Sequence, residues 1–228
     1  MPSLPAQDLR SNIGTWAVST CQAPAIARII TDAYSSEKFD PGFQGQDLET
    51  VYFDTRGFAL RKARSRSDQY LTLRIRCYKP SGALGAGLPA LGAGLLTPPT
   101  YALSAKTEGQ KFRVQIDPND AEAAISGNYT NLWPAALPGD LLARLLSIAG
   151  DDPLVPVVQV CCRRYAVENQ QDRFTFDLGV TTDTGKKLGT NVLEFKSTSP
   201  VASALPALAQ LSLRPMKLSK FHWATMWR

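Results

Sequence analysis

From Leu48 onward the chain alternates apolar and polar residues in short runs. Leu71, Leu73, Ile75 and Cys77 interleave with Thr72, Arg74, Arg76 and Tyr78. Successive side chains of a strand point to opposite faces, so these two sets lie on opposite sides of one strand. The period returns where Lys111, Arg113 and Gln115 oppose Phe112, Val114 and Ile116, and where Arg173, Thr175 and Asp177 oppose Phe174, Phe176 and Leu178. Glu194 and Lys196 likewise oppose Leu193 and Phe195. This patterning predicts strands over 13–20, 48–55, 59–64, 69–78, 100–106, 110–117, 155–167, 173–181, 191–196 and 216–223.

Helical spacing is confined to three places. After Pro24, Ile26, Ile29, Ile30 and Ala33 form one face of a helix expected over 25–34. Shorter helices are expected at 119–126 and 139–148, the latter with Leu141, Leu142, Leu145 and Leu146 on one side. Turns such as Glu108-Gly109 and Thr184-Gly185 join the strands into a meander. The expected fold is therefore mainly β with some α, a closed antiparallel barrel of about eight strands forming a tunnel, with a few capping helices.

One domain is expected across residues 1–228, since a barrel of this length buries one sizeable core. Residues 1–12 read as a loose N-terminal arm. The repeat ALGAGLP followed by ALGAGLL fits neither strand alternation nor a good helix, so 82–99 reads as a flexible Gly/Ala/Leu-rich loop.

Composition narrows the chemistry. Four cysteines without CxxC spacing and a single histidine, His222, argue against a zinc cluster or a disulfide scaffold. Cys161 and Cys162 are adjacent, so on a strand they face opposite ways, and a structural role is expected for both. No apolar run approaches the roughly 18 residues of a membrane span, and no basic region leads into an apolar stretch at the N-terminus. A soluble, cytoplasmic protein is the expectation.

The 25 Lys and Arg against 20 Asp and Glu leave a formal charge of +5, which favours an anionic partner. On the polar strand faces the imbalance is sharper. Arg74, Arg76, Lys106, Lys111, Arg113, Arg164, Arg173, Lys196 and Lys220 stand against Glu108, Asp177 and Glu194. Two readings stay open: a solvated outer face, or a surface for a polyanion. A barrel with its apolar face outward under helices would turn the basic face into a channel, where phosphate contacts strengthen. An external basic face would suit nucleic acid, but Tyr78 is the one clear aromatic there for base stacking, which argues against that partner.

The order of motifs resembles a known family. Tyr52-Phe53-Asp54-Thr55 looks like a YFDT element, Leu73-Arg74-Ile75-Arg76-Cys77-Tyr78 like the RIRxY strand after it, and Leu103-Ser104-Ala105-Lys106 like LELK with its glutamate replaced. Lys111 and Arg113 resemble a KxR strand, Cys162-Arg163-Arg164 a YRR segment, and Arg173-Phe174-Thr175-Phe176-Asp177 an RVTFD strand. Leu193-Glu194-Phe195-Lys196 resembles a second LELK, and Ser219-Lys220-Phe221 a terminal SKY. Together these resemble the VTC domain, the polyphosphate polymerase domain of the triphosphate tunnel (CYTH-like) superfamily.

The resemblance implies a metal-dependent phosphotransferase that binds ATP and inorganic polyphosphate and transfers the γ-phosphate to a growing polyphosphate chain. It implies that Arg74, Arg76, Lys106, Arg164, Arg173 and Lys196 act in catalysis and, with Lys111, Arg113 and Lys220, bind phosphate. Glu194 is the implied ligand of Mn2+ or Mg2+. A triphosphatase of the same fold and a non-catalytic polyphosphate-binding module are the alternatives. The departure is in the first strand, where the family's glutamate-x-lysine is replaced by Ile13-Gly14-Thr15 before Trp16.

Overall fold

The computed structural model describes residues 12–33, 45–63, 70–80, 98–108, 110–128, 132–168, 171–198, 213–216 and 219–226. Residues 1–11 of the expected arm and 82–97 of the expected loop lie outside this set. The strands are β1 (Asn12–Val18), β2 (Gln46–Thr55), β3 (Thr72–Pro80), β4 (Thr100–Lys106), β5 (Lys111–Ile116), β6 (Leu154–Glu168), β7 (Asp172–Thr182), β8 (Asn191–Ser197) and β9 (Arg214–Pro215). The helices are α1 (Ala23–Ala33), α2 (Ala59–Ala63), α3 (Pro118–Ile125), α4 (Leu132–Ala136), α5 (Gly139–Ala149) and α6 (Lys220–Thr225).

All nine strands join one antiparallel sheet in the order β5-β4-β3-β2-β6-β7-β8-β1-β9. The expected closure by hydrogen bonds is corrected: among the described residues no ladder joins β5 to β9. β9 has only two residues and one is Pro215, which has no backbone N–H to donate.

The apolar residues of alternation lie beneath helices. Leu71, Leu73, Ile75, Cys77, Leu103 and Phe53 form a core with Leu141 and Leu145 of α5 and Trp133 of α4. α1 covers the other half of this face, where fully buried Ile26 joins Phe174, Phe176, Leu193 and Phe195. Trp16 packs at the edge of that cluster and its indole lies where a side chain on Gly14 would be, so only glycine fits position 14.

Two predicted strands are helices. Residues 59–63 form α2 because Asp54, at the end of β2, acts as a template for a helix start. Its carboxylate accepts from the backbone N–H groups of Thr55 (2.8 Å), Leu60 (2.8 Å) and Arg61 (2.9 Å), while Thr55 Oγ1 accepts from Ala59 N at 3.0 Å. Burial pushes the Asp54 carboxyl up despite those three donors. The YFDT segment thus ends in a structural cap.

The expected strand 216–223 is replaced from Lys220 by α6, capped by Ser219, whose Oγ accepts from His222 N at 3.3 Å. Phe221, Ala224 and Thr225 are the buried positions, the i, i+3, i+4 spacing of a helix face. α6 packs on the face of the sheet opposite the other helices. Phe221 stacks on Tyr52 with ring centroids 5.0 Å apart, and Val158, Val160, Cys162 and Val192 complete that apolar cluster.

Candidate functional site

Cross-strand register gathers the basic residues on the face that carries α6. Along β3, Arg74 pairs with Tyr52 on β2 and Ser104 on β4, and Arg76 pairs with Thr50 and Ala102. Arg113 of β5 lies opposite Ser104, and Lys111 opposite Lys106. On the other half of the sheet Arg173 pairs with Lys196, Thr175 with Glu194, and Arg164 with Asp177. β1 brings Ile13 opposite Lys196 and Thr15 opposite Glu194.

These halves meet because the sheet curls. From β5 to β8 the order crosses six strand spacings, which in a flat sheet would be about 29 Å at about 4.8 Å each. Yet Lys111 of β5 lies within electrostatic range of Lys196 on β8 and Arg173 on β7, as well as Arg74 and Arg76. The polar face is therefore concave, and its cations point toward a common space.

Two of the cations are committed to a carboxylate. Asp177, 2% exposed, accepts from Arg164 Nε at 2.6 Å and Arg164 Nη2 at 2.7 Å, and its Oδ2 also accepts from Lys220 Nζ. Burial alone would raise this carboxyl; Arg164 and Lys220 outweigh it and hold it well below the usual carboxylate range. Asp177 thereby fastens α6 to the sheet and holds Arg164 in place.

Arg74, Arg76 and Arg113 cluster with one another and with two phenols. Arg74 is lowered by burial and by Arg76, and the phenol of Tyr52, its cross-strand neighbour, works against that shift. The phenol of Tyr78 is lowered despite burial by Arg76, Arg113 and Arg164. Arg113 also sits over the Tyr78 ring, 5.0 Å from its centroid, which occupies the aromatic face a nucleic-acid base would need. Arg173 Nε lies 3.6 Å from Glu168 Oε2. Buried between these groups, Arg76 Nε and Ser104 Oγ have no hydrogen-bond partner among the described residues.

Lys111 is strongly perturbed. Much of its side chain is reached by solvent, yet lost hydration of the ammonium and the charges of Lys196, Arg76, Arg74 and Arg173 push it down to about 7. Lys106 is its cross-strand neighbour. A bound polyanion would favour the protonated form, so binding above pH 7 takes up a proton. Affinity is expected to fall as pH rises from about 7 toward the ordinary lysine value of 10.5. Titration calorimetry at pH 8 in buffers of different ionisation enthalpy should show proton uptake that disappears in Lys111→Met; equal uptake in the variant would refute the assignment.

The predicted site residues thus separate into groups. Arg74, Arg76, Lys111, Arg173 and Lys196 come together, with Lys106 and Arg113 on the same face by register. Arg164 and Lys220 join Asp177, with Glu194 beside them. Burial alone would raise Glu194, but Lys196, Arg164 and Lys220 hold it below its ordinary range. Tyr52 was not among the predicted site residues; its ring packs on Phe221, and its phenol acts on the charge of Arg74. Its place on the Thr50 and Leu48 face, one strand from Arg74, was the available signal.

The donor set does not fit a resident divalent ion. Among the described residues no three His, Cys, Asp or Glu side chains come together. Asp177 is spent on Arg164 and Lys220, and Glu194 stands among cations. A hard divalent cation needs several oxygen ligands, and one carboxylate ringed by positive charge is a poor start.

No family model matches the chain, and no curated protein matches it. Solved structures do. A candidate adenylate cyclase from Bacillus halodurans superposes with a TM-score of 0.55 at 16% identity, covering 92% of this chain and 95% of that one. Another from Vibrio parahaemolyticus gives 0.50 at 14%, covering 91% and 94%. A candidate adenylyl cyclase from Hippeastrum, described as revealing a dominant triphosphatase activity, gives 0.50 at 16%, covering 92% of each. The chain therefore shares the fold of these structures. Among the described residues no helix is long and apolar enough to cross a membrane.

Proposed function

We propose that the chain binds the triphosphate of ATP or the end of inorganic polyphosphate on its concave basic face, within a barrel-like tunnel. The observation that carries this is the pair of buried, unpartnered donors, Arg76 Nε and Ser104 Oγ, set among Arg74, Arg113 and Lys111. Buried polar groups are nearly always hydrogen-bonded, and an orphaned guanidinium nitrogen beside other cations suits an incoming phosphate oxygen. Arg supplies bidentate donors and Lys a point charge, so the face grips a chain of phosphates without reading a base.

Phosphoryl transfer needs neutralised equatorial oxygens and an aligned acceptor. The cations here supply the first. Polymerisation onto a phosphate chain is the reading nearest the sequence resemblance. Hydrolysis is the second reading, favoured by the triphosphatase activity ascribed to the Hippeastrum structure. Cytoplasmic location fits either.

Phosphorus NMR of the protein with ATP, with and without Mn2+ or Mg2+, tests all of these, the metal being chelated from quenched samples. Shifted or broadened ATP signals without turnover mark a binding module. Growth of internal-chain phosphate marks a polymerase, and free phosphate a triphosphatase. Unperturbed ATP and tripolyphosphate signals would overturn the proposal.

A further inference from the structure

The lumen is built for a polyanion and poorly for the divalent ion that usually accompanies one. Each place where a carboxylate could join Glu194 is filled otherwise. Thr15 is its cross-strand neighbour on β1, and Thr175 its neighbour on β7. Ser104, not an acid, lies between Arg74 and Arg113. Asp177 is bonded through both oxygens to Arg164 and also to Lys220, and Glu168 lies 3.6 Å from Arg173.

Cations occupy the space instead. Arg74, Arg76, Arg173 and Lys196 lie within electrostatic range of Lys111, whose ammonium is pushed down by lost hydration first and then by those four charges. Such a set is stabilised most by an anion carrying its full charge. A divalent ion riding on that anion would cancel part of the charge, and would enter a field already positive. Glu194, lying in the positive field of Lys196, Arg164 and Lys220, offers it one ligand group.

Resting on the proposed phosphate-binding reading, we infer that the chain takes tripolyphosphate or the nucleotide triphosphate in its metal-free form, with Lys and Arg doing the neutralising that a metal would do elsewhere. Free Mg2+ then acts as a competitor for the ligand. It does not act as a bridge to the protein.

The test is titration calorimetry of the intact chain with sodium tripolyphosphate in EDTA and in excess Mg2+, beside a titration with Mn2+ alone. Expected are saturable binding in EDTA, affinity weakened at least about tenfold by excess Mg2+, and no heat from Mn2+ alone. Thr15→Glu, which puts a second carboxylate opposite Glu194, is expected to weaken binding in EDTA and to shift the preference toward the metal complex. Circular dichroism of the variant keeps a folding failure separate. Binding that requires Mg2+ would overturn this inference and leave the phosphate-binding reading standing. No binding in either medium would overturn both.

Discussion

Asp177→Asn is expected to lower stability by about 3–5 kcal/mol, because it leaves Arg164 and Lys220 beside a neutral amide in a largely buried site. The same change is expected to tighten tripolyphosphate binding, since it removes one negative charge from the basic face and releases donors of both cations. The two readouts move in opposite directions, which loss of packing alone would not produce. Urea unfolding at pH 7 measures the first and calorimetry the second. The pH dependence has a fixed sign. Asp177 is depressed in the folded chain, so its stabilisation is present above the ordinary value of 3.8 and is lost as pH falls through its lower folded value. The stability gap between wild type and variant should therefore narrow as acid is added below about pH 4. A gap that stays constant down to pH 2, or weaker polyanion binding by a folded variant, would refute the triad's assigned role.

The strand core was legible because its period is simple. Leu73, Ile75 and Phe176 alternate with charged residues, and each went under a helix as alternation required. Residues 59–63 and 220–225 misled because their short apolar spacing fits period 2 as well as a helical turn. What decides them is a cap: Asp54 fixes α2 and Ser219 fixes α6. Asp54 acts across six residues onto Leu60, and such a reach is invisible in a window scan.

The basic face was legible as a face, but its division was not. Arg74 and Arg164 look alike in sequence, since each sits on a strand beside a polar alternate. Only register and the return of α6 decide that Asp177 claims Arg164 and Lys220 while Arg74 neighbours the phenol of Tyr52. The closed barrel went beyond what alternation can carry. Period fixes which side of a strand is buried, and closure depends on pairing between the ends of the sheet.

Arg74→Ala with Arg76→Ala is expected to abolish measurable polyanion binding while sparing the fold. Both guanidiniums lie on the middle strand of the basic cluster, flanked by Ser104 and Arg113 on one side and by the Lys196 and Arg173 pair across the curl. Charged hydrogen bonds contribute about 1.5–3 kcal/mol each, so losing one from each arginine weakens binding by roughly 10²–10⁴-fold. Stability should not suffer in proportion. The two arginines repel each other and Lys111, and none of the three bears an ion pair to a carboxylate among the described interactions. Their removal relieves that repulsion while leaving the outward core of Leu73 and Ile75 untouched. Lys111 should regain part of its ordinary basicity in the double variant, and NMR titration of its ammonium would report this independently of any ligand. Retained tripolyphosphate binding at wild-type affinity would remove the concave basic face from consideration as the phosphate site, whatever the fold of the chain.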